Sequence, residues 1–288
     1  MSAILAWILI GALIAAVAAL GFSGARDSHI KKWEKTYAVT LDGDDEAVVE
    51  RRLTHVRRAR TLGAIVGFIG VSILRPGNGG DDPIWLQPLF GAGAGYLAAA
   101  VLTEITLRPL LRPPTAGASL VPRTFAAYLP RYAAVLLVAI PVVAACLVPA
   151  YASLIRHTRD VDLPSLATYL AVASGIAAIS LVATIGVLAT LRRPQPFAGA
   201  HLLAMDDAFR AASLHALVGA ALTLELLLLT SLFSFLQNVD PFHGGGRLNN
   251  LLTLAALCSL ATAVASWVIL GHPQSWHVRR EIPSRDGL

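Results

Sequence analysis

Glu225 is the residue whose position most needs a chemical reason. It stands in the middle of an apolar run, residues 213–236, twelve positions from one end and eleven from the other. A carboxylic acid at the centre of a hydrocarbon layer costs ~2.5–3.5 kcal/mol on insertion scales, so it requires a partner or a task. Three are open to it: a protonated acid hydrogen-bonded to a neighbouring helix, a contact with a second chain, or the coupling of an ion or proton. At ~100° per residue, His215, Gly219, Thr223, Thr230, Ser234 and Gln237 fall on one narrow stripe, a polar seam suited to packing against the rest of a bundle. Glu225 lies ~130° away from the middle of that stripe, among Val218, Leu222, Leu229 and Leu232. The spacing therefore predicts that it points off a leucine-rich face, toward another helix, another subunit or lipid. Glu104, near the end of a second apolar run, reads as an acid that reaches back to the headgroups beside Arg108.

Other chemistries fail on spacing. His243-Gly244-Gly245-Gly246 looks like the oxyanion loop of lipases and esterases, but no G-x-S-x-G nucleophile elbow accompanies it. The eight histidines (29, 55, 157, 201, 215, 243, 272 and 277) include no pair four apart, so no metal site is predicted, and no cofactor either. Met205-Asp206-Asp207 offers adjacent acids, which do not face each other on a helix; a solvated helix start is the simpler reading. Gly63, Gly67 and Gly70, and Gly91, Gly93 and Gly95, resemble phosphate loops as strings. A phosphate cradle needs a strand before it, whereas these glycines sit inside apolar helices, where G-x-x-x-G marks a close packing face. With no nucleophile beside a base, no catalytic residue is predicted and the chain is not read as an enzyme.

The elements that must hold these residues follow from composition. Of 288 residues, 56% are apolar and only 14% charged, with a mean hydropathy of +0.64. Soluble domains run ~25% charged, so lipid must be the solvent for much of this chain. That excludes a soluble enzyme, a nucleic-acid-binding domain and a disordered tail. A crossing helix needs ~20 mostly apolar residues. About seven stretches approach this: 3–22, 61–74, 84–107, 132–155, 165–191, 213–236 and 251–271. The second is short, and its preceding arginines extend it by reaching back to the headgroups. Residues 141 and 149, both proline, lie inside the fourth and predict a bent helix. The predicted class is thus an all-α polytopic transmembrane bundle.

Arginine placement sets direction. With the N-terminus outside, the inner segments carry nine, four, three and three Lys or Arg, nineteen in all, against four outside. The reading is an outside N-terminus and a cytoplasmic C-terminus in a multi-pass plasma-membrane protein. A cleaved signal peptide is the alternative for residues 3–22, since Ser23-Gly24-Ala25 would suit a peptidase. The absence of a basic stretch before the apolar run argues against it, as does the inverted charge tally it would produce.

A period near 80 residues runs through the chain. Arg112-Pro113, Arg193-Pro194 and His272-Pro273 recur at steps of 81 and 79, and Asp82-Pro83, Asp162-Leu163-Pro164 and Asp240-Pro241 at 80 and 78. Aspartate before a helix-starting proline can cap free N–H groups, and Arg-Pro stops a helix at the headgroups. The predicted organisation is a first span (1–23), a basic cytoplasmic segment with an amphipathic helix (24–60), three parallel hairpins (61–113, 114–194, 195–273) and a cytoplasmic tail (274–288). Stretches 118–129 and 201–212 are expected to lie along the inner membrane surface.

The segment 24–60 carries the nine basic residues, and Arg51, Arg52, Arg57, Arg58 and Arg60 give its helix a basic face. Two occupants suit that face: anionic lipid headgroups and an acidic cytoplasmic or membrane protein partner. Cys146 and Cys258 both lie within spans and imply no disulfide framework.

At Ala118-Ser119-Leu120-Val121-Pro122-Arg123 and Tyr128-Leu129-Pro130-Arg131 the chain resembles polytopic integral membrane proteins of high-GC Gram-positive bacteria, a group without an assigned activity. The resemblance implies a hairpin layout and no particular chemistry. The expected function is a non-catalytic membrane component, either a scaffold or a subunit working with a partner. The alternative is a small-molecule or ion transporter with Glu225 as its coupling acid.

Overall fold

A computed structural model describes residues 27–37, 39–41, 43–74, 86–106, 124–157, 164–193, 200–237 and 246–271. Among these there are seven α-helices and no strand: α1 (Asp27–Tyr37), α2 (Gly43–Leu74), α3 (Leu86–Thr106), α4 (Arg131–His157), α5 (Leu166–Arg192), α6 (Ala200–Gln237) and α7 (Arg247–Gly271). A single 3₁₀ turn, Phe125–Ala127, leads into α4. Four helices, α4 to α7, are long and apolar enough to cross a membrane. The chain is an integral membrane protein. The predicted third span appears as a shorter apolar stretch, Phe90–Thr106, within α3, and the predicted second as the C-terminal part of α2. The first predicted span lies outside the described residues. So do most of the residues that mark the 80-residue period: Asp82-Pro83, Arg112-Pro113, Asp162-Leu163, Pro194, Asp240-Pro241 and His272-Pro273.

By its internal contacts the chain divides into two compact units, one from Met1–Thr124 and Leu188–Ser213 with the C-terminal tail, the other from Phe125–Val187 and Leu214–Pro273. In the first, α1 is a short amphipathic helix. Ile30, Trp33 and Tyr37 are buried on one stripe, while Lys31, Lys32 and Lys35 face out. Glu34 closes its end twice, its backbone carbonyl accepting from the Val39 amide (3.2 Å) and its side chain from the Leu41 amide (3.0 Å). Helices α2 and α3 pack antiparallel through their glycines. A Cβ on Gly63 would strike the Gly95 carbonyl and Ala99, and one on Gly67 would strike the Gly91 carbonyl. The two G-x-x-x-G faces are thus one backbone-to-backbone contact, because only hydrogen leaves room.

In the second unit, polarity is arranged for lipid rather than water. On α7 the buried positions are Ala256, Ser259, Ala263, Ser266 and Leu270, mostly small. Leu251, Leu254, Leu257, Leu260, Val264 and Val268 are exposed. Small residues let backbones approach, and large apolar ones meet hydrocarbon. Ser259 donates to the Leu226 carbonyl at 2.8 Å and Thr223 to that of Ala263 at 3.3 Å, tying α6 to α7. Tyr151 of α4 stacks on Tyr169 of α5, centroids 4.0 Å apart, and its hydroxyl donates to the Pro164 carbonyl at 2.6 Å. Ser165 caps α5, accepting from the Thr168 amide at 3.1 Å. The cap shown is thus Ser165, one residue after Pro164.

Helix α4 runs unbroken through Pro141 and Pro149. A proline withholds the hydrogen bond owed to the carbonyl four residues earlier; for Pro141 that is Leu137. Ser180 of α5 donates to this carbonyl at 2.6 Å. A neighbouring helix therefore satisfies the group that the proline frees.

One expectation is corrected outright. Residues 201–212 do not form a separate surface stretch: they are the first turns of α6, a continuous 38-residue helix. The apolar periodicity changes there while helix propensity does not, and nothing between Ala200 and Gln237 breaks the backbone.

Candidate functional site

Three arrangements of polar side chains stand out, two in the first unit and one in the second. The first is a buried charge cluster. Asp206, in the second turn of α6, accepts from Arg193 at 2.7 Å and from Arg210, one turn on, at 2.8 Å. Arg210 also donates to the Thr190 carbonyl at 2.8 Å. Glu104 of α3 accepts from Ser213 and lies 3.5 Å from Arg193. All of these side chains are buried, Arg210 completely. Glu104 is therefore not an acid reaching to the headgroups, and Asp206 is not a solvated helix start. Glu104 meets a cation 89 positions away, which sequence spacing does not display, and Asp206 meets Arg193, 13 positions back, and Arg210 on its own helix.

Arg52 joins this cluster as a third cation against two carboxylates. Its guanidinium carbon sits 4.3 Å from the centre of the Phe209 ring, and only 5% of the residue is exposed. Burial, aided by the Arg193 charge, pushes its pKa down to about 10. Its Nη2 has no hydrogen-bond partner among the described residues. The predicted basic face of α2 is corrected accordingly: Arg51 and Arg58 are exposed and Arg57 and Arg60 half-buried, while Arg52 points inward. At 100° per residue it falls on the buried stripe with Val49.

The second arrangement is a cavity of about 310 Å³ lined by His29 and Trp33 of α1, by Leu53, Val56, Arg57, Arg60 and Thr61 of α2, and by Tyr96 of α3. The Trp33 ring is held by Tyr37 and Phe209, with centroids 5.5 and 5.0 Å away. Arg60 lies 5.8 Å from the Tyr96 ring centre. The buried Tyr37 phenol is raised above its ordinary range by desolvation, with the Arg60 charge opposing.

The third is Glu225. It is fully buried, not directed at lipid or at a second chain. The leucine-rich face of α6 is buried rather than turned to lipid, with Val218, Leu222, Leu229 and Leu232 all buried alongside Glu225. Ser180 is the polar side chain beside the carboxyl. That hydroxyl gives its proton to the Leu137 carbonyl, and neither carboxyl oxygen of Glu225 has a hydrogen-bond partner among the described residues. The polar seam is less distinctive than its pattern implied. Thr223, Thr230 and Ser234 each donate to the carbonyl one turn earlier, at 2.7, 2.8 and 3.0 Å. His215 is buried, and Thr223, Thr230 and Ser234 are half-buried.

The described part of the structure thus brings together Glu104, Arg193, Asp206 and Arg210, a grouping sequence reasoning missed. The i,i+4 pair Asp206 and Arg210 was its one legible trace. It also places Arg57 and Arg60 on one cavity with Trp33. It does not join Glu225 to the seam residues, and the His243 loop lies outside the described residues apart from Gly246. No family model, no curated protein and no solved structure matches this chain.

Proposed function

We propose that this protein is a non-catalytic component of the plasma membrane, a multi-pass scaffold or subunit that works with an acidic protein partner. One observation carries the reading. The carboxylates buried in the first unit are committed to arginines, and Lys31, Lys32, Lys35 and Arg51 of α1 and α2 are exposed basic residues offered outward. A patch of that sign steers and registers an acidic partner without desolvating it. Purification of the full chain in mild detergent tests this. A partner should co-purify in fixed stoichiometry and be lost in the triple variant Lys31→Glu, Lys35→Glu, Arg51→Glu with melting unchanged. A lone chain in both preparations refutes the reading.

A second reading has its own support, the intramembrane acid whose neighbouring polar side chain is a single serine. In it Glu225 couples proton movement to the passage of a small solute. Solute uptake by proteoliposomes that fails in Glu225→Gln, in a protein that folds and stays monomeric, is the result that selects it.

A further inference from the structure

The cavity between α1, α2 and α3 holds buried donors that meet no partner among the described residues. Trp33 is only 7% exposed, yet its indole Nε1 is buried with no partner among the described residues, and so is Nε of Arg60. Both residues line the cavity, with Arg57 and Thr61. Among the described residues no carboxylate lines it. A buried donor left unmade is costly, so this geometry is stable when something brings acceptors in. Two guanidiniums side by side require that the newcomer be anionic, and the Arg fork matches the oxygens of a phosphate. Leu53 and Val56 supply an apolar wall, and about 310 Å³ exceeds what a bare ion fills. Thr61 is the first residue of the apolar run of α2, so the cavity sits where charged sequence gives way to apolar sequence, the depth of a headgroup.

We propose that this cavity binds a phosphate ester, its oxyanion held by Arg57, Arg60 and Trp33 Nε1 and its carbon portion against Leu53 and Val56. The site is independent of the partner reading above and stands or falls separately. Native mass spectrometry of the full chain, delipidated and then titrated with phosphatidylglycerol, phosphatidylcholine or glycerol 1-phosphate, tests it. One phosphatidylglycerol per chain should be retained. Its affinity should fall about tenfold in Arg60→Gln and in Trp33→Phe, the effect of one charge-assisted hydrogen bond. Arg131→Gln, which removes an exposed charge elsewhere, should leave binding unchanged. If Trp33→Phe melts early, the double variant Arg57→Gln, Arg60→Gln carries the same test. Displacement of phosphatidylglycerol by glycerol 1-phosphate at equal concentration assigns the site to soluble phosphate esters rather than lipid. Binding insensitive to Arg57 and Arg60, or weakened equally by Arg131→Gln, overturns the site, as does failure of every phosphate ester to bind.

Discussion

Asp206 holds two guanidiniums on one carboxylate, at 2.7 and 2.8 Å, and both guanidiniums are buried. Removing its charge leaves Arg193 and Arg210 with Glu104 as the one remaining carboxylate of the cluster, 3.5 Å from Arg193. Breaking a buried pair from one side costs ~3–5 kcal/mol, and Asp206→Asn should lower the denaturant midpoint by that equivalent. Arg52→Met should behave in the opposite sense. It removes the surplus cation while keeping a soft side chain against Phe209, so stability should hold or rise. Equal losses in the two variants would show that Asp206 is not what holds the cluster. The chain announced these residues unevenly. Asp206 and Arg210 stand one helical turn apart and were visible as a possible pair. Glu104 was not, because its partners Arg193 and Ser213 stand 89 and 109 positions away, and only a fold brings such residues together. For Glu225 the depth was legible and the direction was not. A helical wheel sorts residues onto faces without saying what covers each one, and the leucine-rich face of α6 is buried.

Among elements, the α2–α3 contact makes the sharpest distinction between neighbouring glycines. A Cβ on Gly67 meets backbone atoms of Gly91 and Gly95, whereas at Gly70 nothing lies within 4 Å. Gly67→Ala must push the helices apart, so its melting temperature in detergent should drop. Gly70→Ala gains helix propensity of ~0.8–1.0 kcal/mol with no steric conflict, so its melting temperature should stay level or rise. The same loss in both would mean that the helices do not touch at the G-x-x-x-G faces. This packing was readable in advance because the motif's period is that of the helix. The continuity of α6 was not, since the charged residues in its first turns look like an ending. Buried arginines neutralise those charges, so the helix has no reason to stop.

At the scale of the molecule, the four helices of crossing length among the described residues agree with the composition. Apolar runs advertise such helices plainly, since every backbone group must be satisfied within the segment. Orientation rests on arginine bias alone and has a direct measurement. With Cys146 and Cys258 replaced by alanine, a membrane-impermeant maleimide applied to intact cells should label Gly246→Cys and spare Lys35→Cys. The reverse pattern would invert the orientation. The unbroken course of α2 has a mechanical meaning. Its 32 residues span ~48 Å at ~1.5 Å per residue, far more than its fourteen-residue uncharged run, 61–74, occupies. A rod of that length, pinned where Gly63 and Gly67 touch α3, is a lever with its fulcrum at the glycines. A pull on its arginine-bearing arm would swing the apolar arm the other way.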